Sequence, residues 1–303
     1  MHSSECISWL AVGITESVVI VTLNFLTVIV FVKSRSPRKR SMYLVINLAV
    51  ADMLVGGIST VMVFFSTGDY CNIWKYNLTV FGFWDNFIFC MDLLFPLVSI
   101  TNLAAISLER MHATFCPFRH RVIKKWVFGV FLTVNWVTAA LLSTTLVVIR
   151  NISEQGIVYF YTWCSFNSIC LIVICVSYAL IVVKIYCGAH PQHHGAASRE
   201  KKVTKTLLLV TVVSLLMWLP FVMSAFLYFA TDIFSSLSDL TFYRLNLALI
   251  LLYQANSLVN PILYTFRMPE FKRALASLLR CRPQQGQVAL PRFFPKVMTT
   301  GKK

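Results

Sequence analysis

The sequence predicts an all-α fold, a bundle of seven transmembrane helices followed by a short amphipathic eighth helix at the cytoplasmic surface. Three observations carry this. Of 303 residues, 57% are hydrophobic and only 13% charged, about half the charged fraction of an ordinary soluble domain. Seven apolar stretches reach the roughly 20 helical residues needed to cross a ~30 Å hydrocarbon core. The formal charge of +15 sits in short clusters between these stretches, a pattern of membrane topology rather than of a nucleic-acid-binding domain.

The stretches fall at 7–32, 43–65, 82–109, 126–149, 157–186, 203–230 and 242–264. The first has no positive n-region before it and no small-residue cleavage site after it, so a retained span is expected rather than a signal peptide. Alternate connections carry the basic clusters around Arg38-Lys39-Arg40, Arg119 to Lys125, Arg199 to Lys202, and the tail from Arg267 onward, whereas the opposite set holds only Lys75, Arg150 and Arg244. Basic loops stay cytoplasmic. The N-terminus is therefore expected outside and the C-terminus inside, as an odd number of spans requires. The domain organisation read from this is an extracellular N-terminus (1–6), the seven-span domain (7–267), an amphipathic helix (268–281) and a cytoplasmic tail (282–303).

Two sequons, Asn77-Leu78-Thr79 and Asn151-Ile152-Ser153, both fall on the expected outer side. Of nine Cys, only Cys6, Cys71 and Cys164 lie near the outer face, and an odd number fixes no disulfide pattern. His190, His193 and His194 share a polar loop without carboxylate or thiol partners at ligand spacing, so a solvated loop is expected there and no metal. No internal repeat of the kind that builds many transporters is visible.

Charged and polar residues within spans are expensive and therefore functional by default. Asp52 lies nine residues into span two, about 14 Å of helix and so near the midplane. Asn24 in span one, Ser99 in span three, and Asn256, Ser257 and Asn260 in span seven are neutral oxygen donors able to complete a small-cation shell around it. The same residues would equally serve as a hydrogen-bond network locking helices together, and spacing does not separate the two readings. Pro261 in span seven and Pro220 in span six each remove a backbone donor inside an apolar helix. Trp218 precedes one kink and Tyr264 follows the other.

Asn24, the LAVAD segment ending at Asp52, Glu109-Arg110 with Pro117 beyond, Trp136, Tyr178, Trp218-Leu219-Pro220 and Asn260-Pro261-Ile262-Leu263-Tyr264 occur once each, in successive spans. In this order the chain resembles a rhodopsin-like G-protein-coupled receptor over nearly its whole length. The resemblance implies that Arg110, at the cytoplasmic end of span three, is held by Glu109 and by an acid at the inner end of span six, and is released when that helix swings outward. Glu200, twenty residues before Pro220 or about 30 Å of helix, stands where that acid would be. The competing reading is an Arg that merely snorkels to headgroups. Met111 replaces the usual aromatic after the Arg.

The resemblance also implies that Pro117 and Phe118 contact the G protein, that Lys201 and Lys202 flank the cleft opened beside Arg110, and that Tyr178 and Tyr264 belong to the activation switch. Phe271, Leu275 and Leu279 fall on one face of the eighth helix. Cys281 at its end is a palmitoylation candidate, a free thiol being the alternative. On the same resemblance the Asp52 cluster would be an allosteric sodium site, and no other cofactor is implied. The chain is expected in the plasma membrane, without a nucleic-acid partner.

Asp92 lies eighteen residues before Arg110, about 27 Å up the helix, where family ligands bind. Receptors for biogenic amines have an Asp there, pairing with the ligand ammonium in a poorly hydrated pocket where charge pairs count for more. A cationic amine is the leading ligand class, with Leu93, Thr162, Ser165, Trp218, Phe221 and Gln254 as further binding candidates. Helix packing is the other reading of Asp92. Departures from the amine pattern are Val222 in place of a second Phe, and Leu251 and Gln254 in place of span-seven aromatics.

The Cys expected at the outer end of span three is Asp85, so the family's linking disulfide is ruled out there, and Cys170 replaces the span-five Pro. Both features resemble the melanocortin, cannabinoid and lysophospholipid group, which makes a peptide or lipid ligand the alternative. Ser214 replaces the usual span-six Phe. An opsin is disfavoured because span seven contains no Lys for retinal, and an enzyme because no nucleophile, base and orienting group occur together. A transporter or channel with Asp52 on its ion path is the alternative from a different class.

Overall fold

A computed structural model describes residues 3–33, 41–73, 78–152, 157–187, 209, 212–228, 231, 233–267, 271–273 and 275–276. Among these the chain is helical throughout, with no strand. The helices are α1 (Ser3–Lys33), α2 (Ser41–Tyr70), α3 (Leu78–Phe115), α4 (Pro117–Val122), α5 (Lys125–Ile152), α6 (Ile157–Cys187), α7 (Val212–Tyr228), α8 (Asp239–Gln254) and α9 (Asn256–Arg267), with a 3-10 turn at Ile233–Ser236. Six stretches are long and apolar enough to span a membrane, α8 and α9 together forming one of them, and α7 is a shorter apolar helix. These seven match the expected spans, and most extend past the apolar stretch by a turn or two. Of the expected sixth span only α7 and Leu209 are described.

The helices interlock where side chains are small. On α1, Gly13 and Ser17 form the four-residue spacing of small residues that lets membrane helices approach closely. A Cβ on Gly13 would come within 2.7 Å of Val63 Cγ1, and one on Gly56 within 2.8 Å of Ile20 Cγ2 and 3.0 Å of the Ser17 carbonyl. The α1–α2 seam is thus closed to the width of a hydrogen atom. Its outer end is locked by a Cys6–Cys71 disulfide, whereas Cys164 is a buried free thiol on α6. The sequence left three candidates for pairing; the turn after α2 brings Cys71 back to α1.

Further ties hold α8 to this seam. Arg244 donates from Nε and Nη2 to both oxygens of Glu5, at 2.6 and 2.7 Å. The rings of Tyr70 and Tyr243 stack at 3.5 Å, nearly parallel.

Helix α3 runs through the middle. Leu93, Leu97 and Val98 pack with Ala51 of α2, Ala139 and Leu146 of α5, and Trp163 of α6. Trp136 Nε1 donates to Asn47 Oδ1 at 2.9 Å, fixing α5 on α2. At the opposite end of α1 Phe271 is buried and its ring lies 5.3 Å from that of Phe31, so the described part of the segment after α9 is seated on α1. Leu275 joins the same cluster. Leu279 and Cys281 lie outside the described residues.

Candidate functional site

Three polar sites lie at successive depths along α3. The middle one surrounds Asp52, fully buried on α2. Ser99 donates its hydroxyl to Oδ1 at 2.7 Å and Ser257 donates to the same oxygen at 3.0 Å, while Asn260 donates Nδ2 to Oδ2 at 2.8 Å. Local backbone irregularity makes this possible. The helix is interrupted at Ala255, whose carbonyl accepts from Leu258 in a tighter turn, at 2.9 Å. Pro261 lacks the N–H that would otherwise bond the Ser257 carbonyl, and Asn24 Nδ2 donates to that carbonyl instead, at 3.0 Å.

The carbonyl oxygens of Asn24, Asn256 and Asn260 are buried and accept nothing. A carboxylate with uncommitted neutral oxygens around it is a donor set suited to a hard monovalent cation, so the residues fit a sodium ion. No group of three His, Cys, Asp or Glu among the described residues is placed to hold a multivalent metal.

The outer site centres on Asp92 of α3. Asp92 is half-buried, and no described side chain donates to its carboxylate. The hydroxyls of Tyr159 and Tyr253 lie within electrostatic range. Tyr159 packs on Phe89 at 5.8 Å between ring centres, and the Arg150 guanidinium sits 4.0 Å over the Phe89 ring, so a cation stands near the mouth. Pro96, one turn below, removes the N–H that would occupy the Asp92 backbone carbonyl. The floor is aromatic: Tyr253 meets Trp218 at 4.5 Å and Phe221 at 5.2 Å, and Phe221 meets Trp163 at 5.8 Å. Gln254 is buried with its side-chain carbonyl unpartnered. Beyond Phe221, between α7 and α8, a cavity of about 180 Å³ is lined by Ala225, Tyr228, Phe234, Phe242 and Asn246.

Three expected ligand residues do not join this site. Leu93 is 6% exposed and buried in the core with α5. Ser165 is exposed on the outer face of α6, and the Thr162 hydroxyl bonds the Val158 carbonyl of its own helix at 2.8 Å. The inward face of α6 is instead Phe160, Trp163, Cys164 and Asn167. That helix is apolar on nearly every side, so its periodicity carries no signal for which face turns inward. Tyr253, which the sequence reading passed over, supplies the span-seven aromatic two residues after Leu251. Ser214 lines a void of about 10 Å³ beside Trp218, and its hydroxyl is buried and unpartnered. Trp218 and Tyr178 are buried in one cluster with Ile100 and Ile174.

Near the C-terminal end of α3, Arg110 Nε lies 2.7 Å from Glu109 Oε2, but off the line a hydrogen bond needs, so that oxygen is paired by charge alone. The well-formed bond goes to Glu109 Oε1 from His120 Nε2, at 2.7 Å, a partner the sequence reading missed. Pro117 opens α4 and Phe118 is 82% exposed. Pro220 lies within α7, and Pro261 and Tyr264 within α9. Glu200, Lys201, Lys202 and Asn77 lie outside the described residues. Asn151 is exposed in the last turn of α5, its amide donating to Asn86 Oδ1 at 3.2 Å.

Residues 23–264 match the family described as 7 transmembrane receptor (rhodopsin family). Among individual proteins, the chain is similar to the substance-K receptor of Mus musculus, 26% identical over 91% of this chain and 76% of the relative. It is likewise similar to the neuropeptide Y receptor type 2 of Cavia porcellus, 27% identical over 92% of this chain and 76% of the relative. With the human alpha-1D adrenergic receptor it shares 25% identity over 86% of this chain and 54% of the relative.

Proposed function

Because the chain belongs to the rhodopsin family of seven-transmembrane receptors, and is therefore a multi-pass membrane receptor rather than an enzyme, we propose that it binds an extracellular ligand carrying a cationic amine and activates a heterotrimeric G protein. One observation carries the ligand class. Asp92 is half-buried and its carboxylate has no described donor, above an aromatic floor. In such a place a carboxylate is expensive until an ammonium neutralises it. The Tyr159 and Tyr253 rings offer further stabilisation to a cation.

The N-terminus faces outward and the C-terminus the cytosol. Asn77 and Asn151 would then be accessible to glycosylation and Cys281 to palmitoylation. The mechanism is population shift: a ligand held by Asp92 and touching Phe221 and Tyr253 bears on Trp218, and favours the state with α7 displaced only by its differential affinity for that state. Arg110, freed from Glu109 and from Glu200, then faces the G protein together with Phe118, Lys201 and Lys202. Asp52, Ser99, Asn256, Ser257 and Asn260 would hold a sodium ion. Its positive charge would balance Asp52 and favour the resting state, so agonist binding weakens it reciprocally.

A second reading, a peptide whose own ammonium reaches Asp92, is supported by the cavity between α7 and α8, which shares Phe221 with the aromatic floor. One relative is named for neuropeptide Y and another is adrenergic, so both readings have a precedent among similar proteins. The test is G-protein dissociation in cells expressing the chain, challenged with biogenic amines, neuropeptides and lysophospholipids beside an equally expressed Asp92→Asn variant. An amine response at least tenfold weaker in the variant is expected. A peptide response lost in the same way would establish the second reading, and any response that survives intact would remove Asp92 from the site.

A further inference from the structure

We propose that Glu16, midway along α1, marks the docking face for a second membrane protein, a transmembrane helix that carries a Lys or Arg at the same depth. The inference goes beyond the receptor reading above and is independent of the ligand.

Glu16 lies nine residues into the first apolar stretch, about 14 Å of helix and thus deep in the hydrocarbon. The α1 residues that turn toward α2 and α9 include Gly13, Ser17, Ile20 and Asn24, all buried. Glu16 stands about 60° around the helix from Gly13 and is half-buried, at the edge between the bundle and the lipid. No described side chain bonds it, and no described charged group lies close to it. Asp52, by contrast, accepts from three donors.

Hydroxyls on the lipid side of α1 are satisfied within the helix. Ser8 donates to the Ser4 carbonyl at 2.9 Å and Thr22 to the Val18 carbonyl at 2.8 Å. A carboxylate accepts only, and the N–H groups of a mid-helix residue and its neighbours are already engaged in the backbone ladder. Nor can a Glu side chain cover the distance to water, as the longer stems of Lys and Arg do near helix ends. An ionisable group at this depth ordinarily faces a partner inside its own bundle. Among the described residues Glu16 has none, so the partner comes from outside the chain.

The neighbouring residues shape the face. Trp9, Val12, Glu16, Val19, Leu23 and Leu26 recur at alternating spacings of three and four, the seam of a left-handed helix pair. All are exposed or half-buried, Val12 being 53% and Val19 39% exposed. These two valines are short, so an incoming helix can approach the carboxylate between them. A single polar residue within such a seam fixes register.

Charge decides the occupant. The Lys and Arg residues of the described helices stand near helix ends, so a second copy of this chain would bring another carboxylate to Glu16 and no cation. An ammonium or guanidinium would make a charge-assisted bond there, in a medium where neither ion has water to return to.

The experiment uses the full chain in phosphatidylcholine vesicles and a synthetic Leu/Ala helix of about 20 residues with one central Lys, the two labelled for energy transfer. Controls are the same helix with Leu in place of Lys, and with the Lys moved to its end. The central-Lys helix should associate at least tenfold more tightly than either control. Glu16→Leu should reduce its association to that of the Leu helix. Val12→Trp, which keeps the carboxylate but fills the approach, should do the same, whereas Val130→Trp, at a 51% exposed position on α5, should change nothing. If Glu16→Leu does not fold, judged by its melting temperature, the two Trp variants decide. Equal association of the Lys and Leu helices with the wild type would overturn the proposal, as would a Lys preference that persists in Glu16→Leu or Val12→Trp. So would energy transfer between differently labelled copies of the chain that is lost in Glu16→Leu, because the face would then belong to a second copy.

Discussion

The outer ends of α1, α2 and α8 contrast with those of α3, α6 and α7. The first group is stapled by the Cys6–Cys71 disulfide, the two-bond Glu5–Arg244 pair and the stacked Tyr70 and Tyr243 rings, above a seam too tight for one additional methyl group. The second group has an exposed Asp85 near the outer end of α3, a cavity of about 180 Å³ beside α7 and a carboxylate at Asp92 with no described donor. Rigidity and vacancy are segregated by side. Under the proposed function, a ligand at Asp92 would act on the looser group against a partner group that does not yield. Asp52 lies where the two groups meet, bonded from α2 to α3 and α9.

Removing the staple should break this contrast most severely. Cys6→Ser with Cys71→Ser opens a link between residues 65 apart in sequence, which by loop entropy alone is a loss of about 4 kcal/mol. It should appear as a lower melting temperature and faster exchange of α1 amides, whereas Cys164→Ser, affecting a free thiol, should change neither by much. Next comes the seam. Gly56→Ala must push α1 from α2 and should cost about 1–3 kcal/mol, an overpacking penalty. Gly57→Ala, where nothing lies within 4 Å of the new methyl, should be neutral or stabilise by up to ~1 kcal/mol through helix propensity. Equal effects at the two glycines would mean that the seam is not tight.

A smaller effect is expected at the junction. If sodium binds at Asp52, replacing a large organic cation by sodium at about five times the dissociation constant should stabilise the wild type by about 1 kcal/mol. Asp52→Asn should abolish the difference, and a difference that survives would leave the cluster as a packing device only. The least effect belongs to the surface pair. Glu5→Gln should lower the melting temperature slightly at low ionic strength and not at all near 1 M salt, because exposed charges are screened there.

The spans and the Asp52 cluster were legible because an ionisable residue within an apolar run is costly and helical rise fixes its depth, whereas the Glu109–Arg110 pair was read from the motifs that carry the family resemblance. What was illegible depended on rotation or on neighbours across loops. Thr162 and Ser165 were expected inward on α6, and the true face, through Trp163 and Asn167, was hidden because the whole helix is apolar. His120 sat in a basic segment where any single residue looks solvated, and only the turn at Cys116 brings it back eleven positions to Glu109. Cys6 and Cys71 were two of three outer thiols that counting could not pair. Tyr253 was obscured because the aromatic is displaced from the positions inspected, Leu251 and Gln254, by a break at Ala255 that no residue type announces.

The disulfide also sets an order of events during synthesis. Its two cysteines lie in α1 and in the turn directly after α2, so it can close as soon as that turn has emerged into an oxidising compartment, while α3 and everything after it are still on the ribosome. The remaining helices are then laid down, one after another, against a pair already sealed.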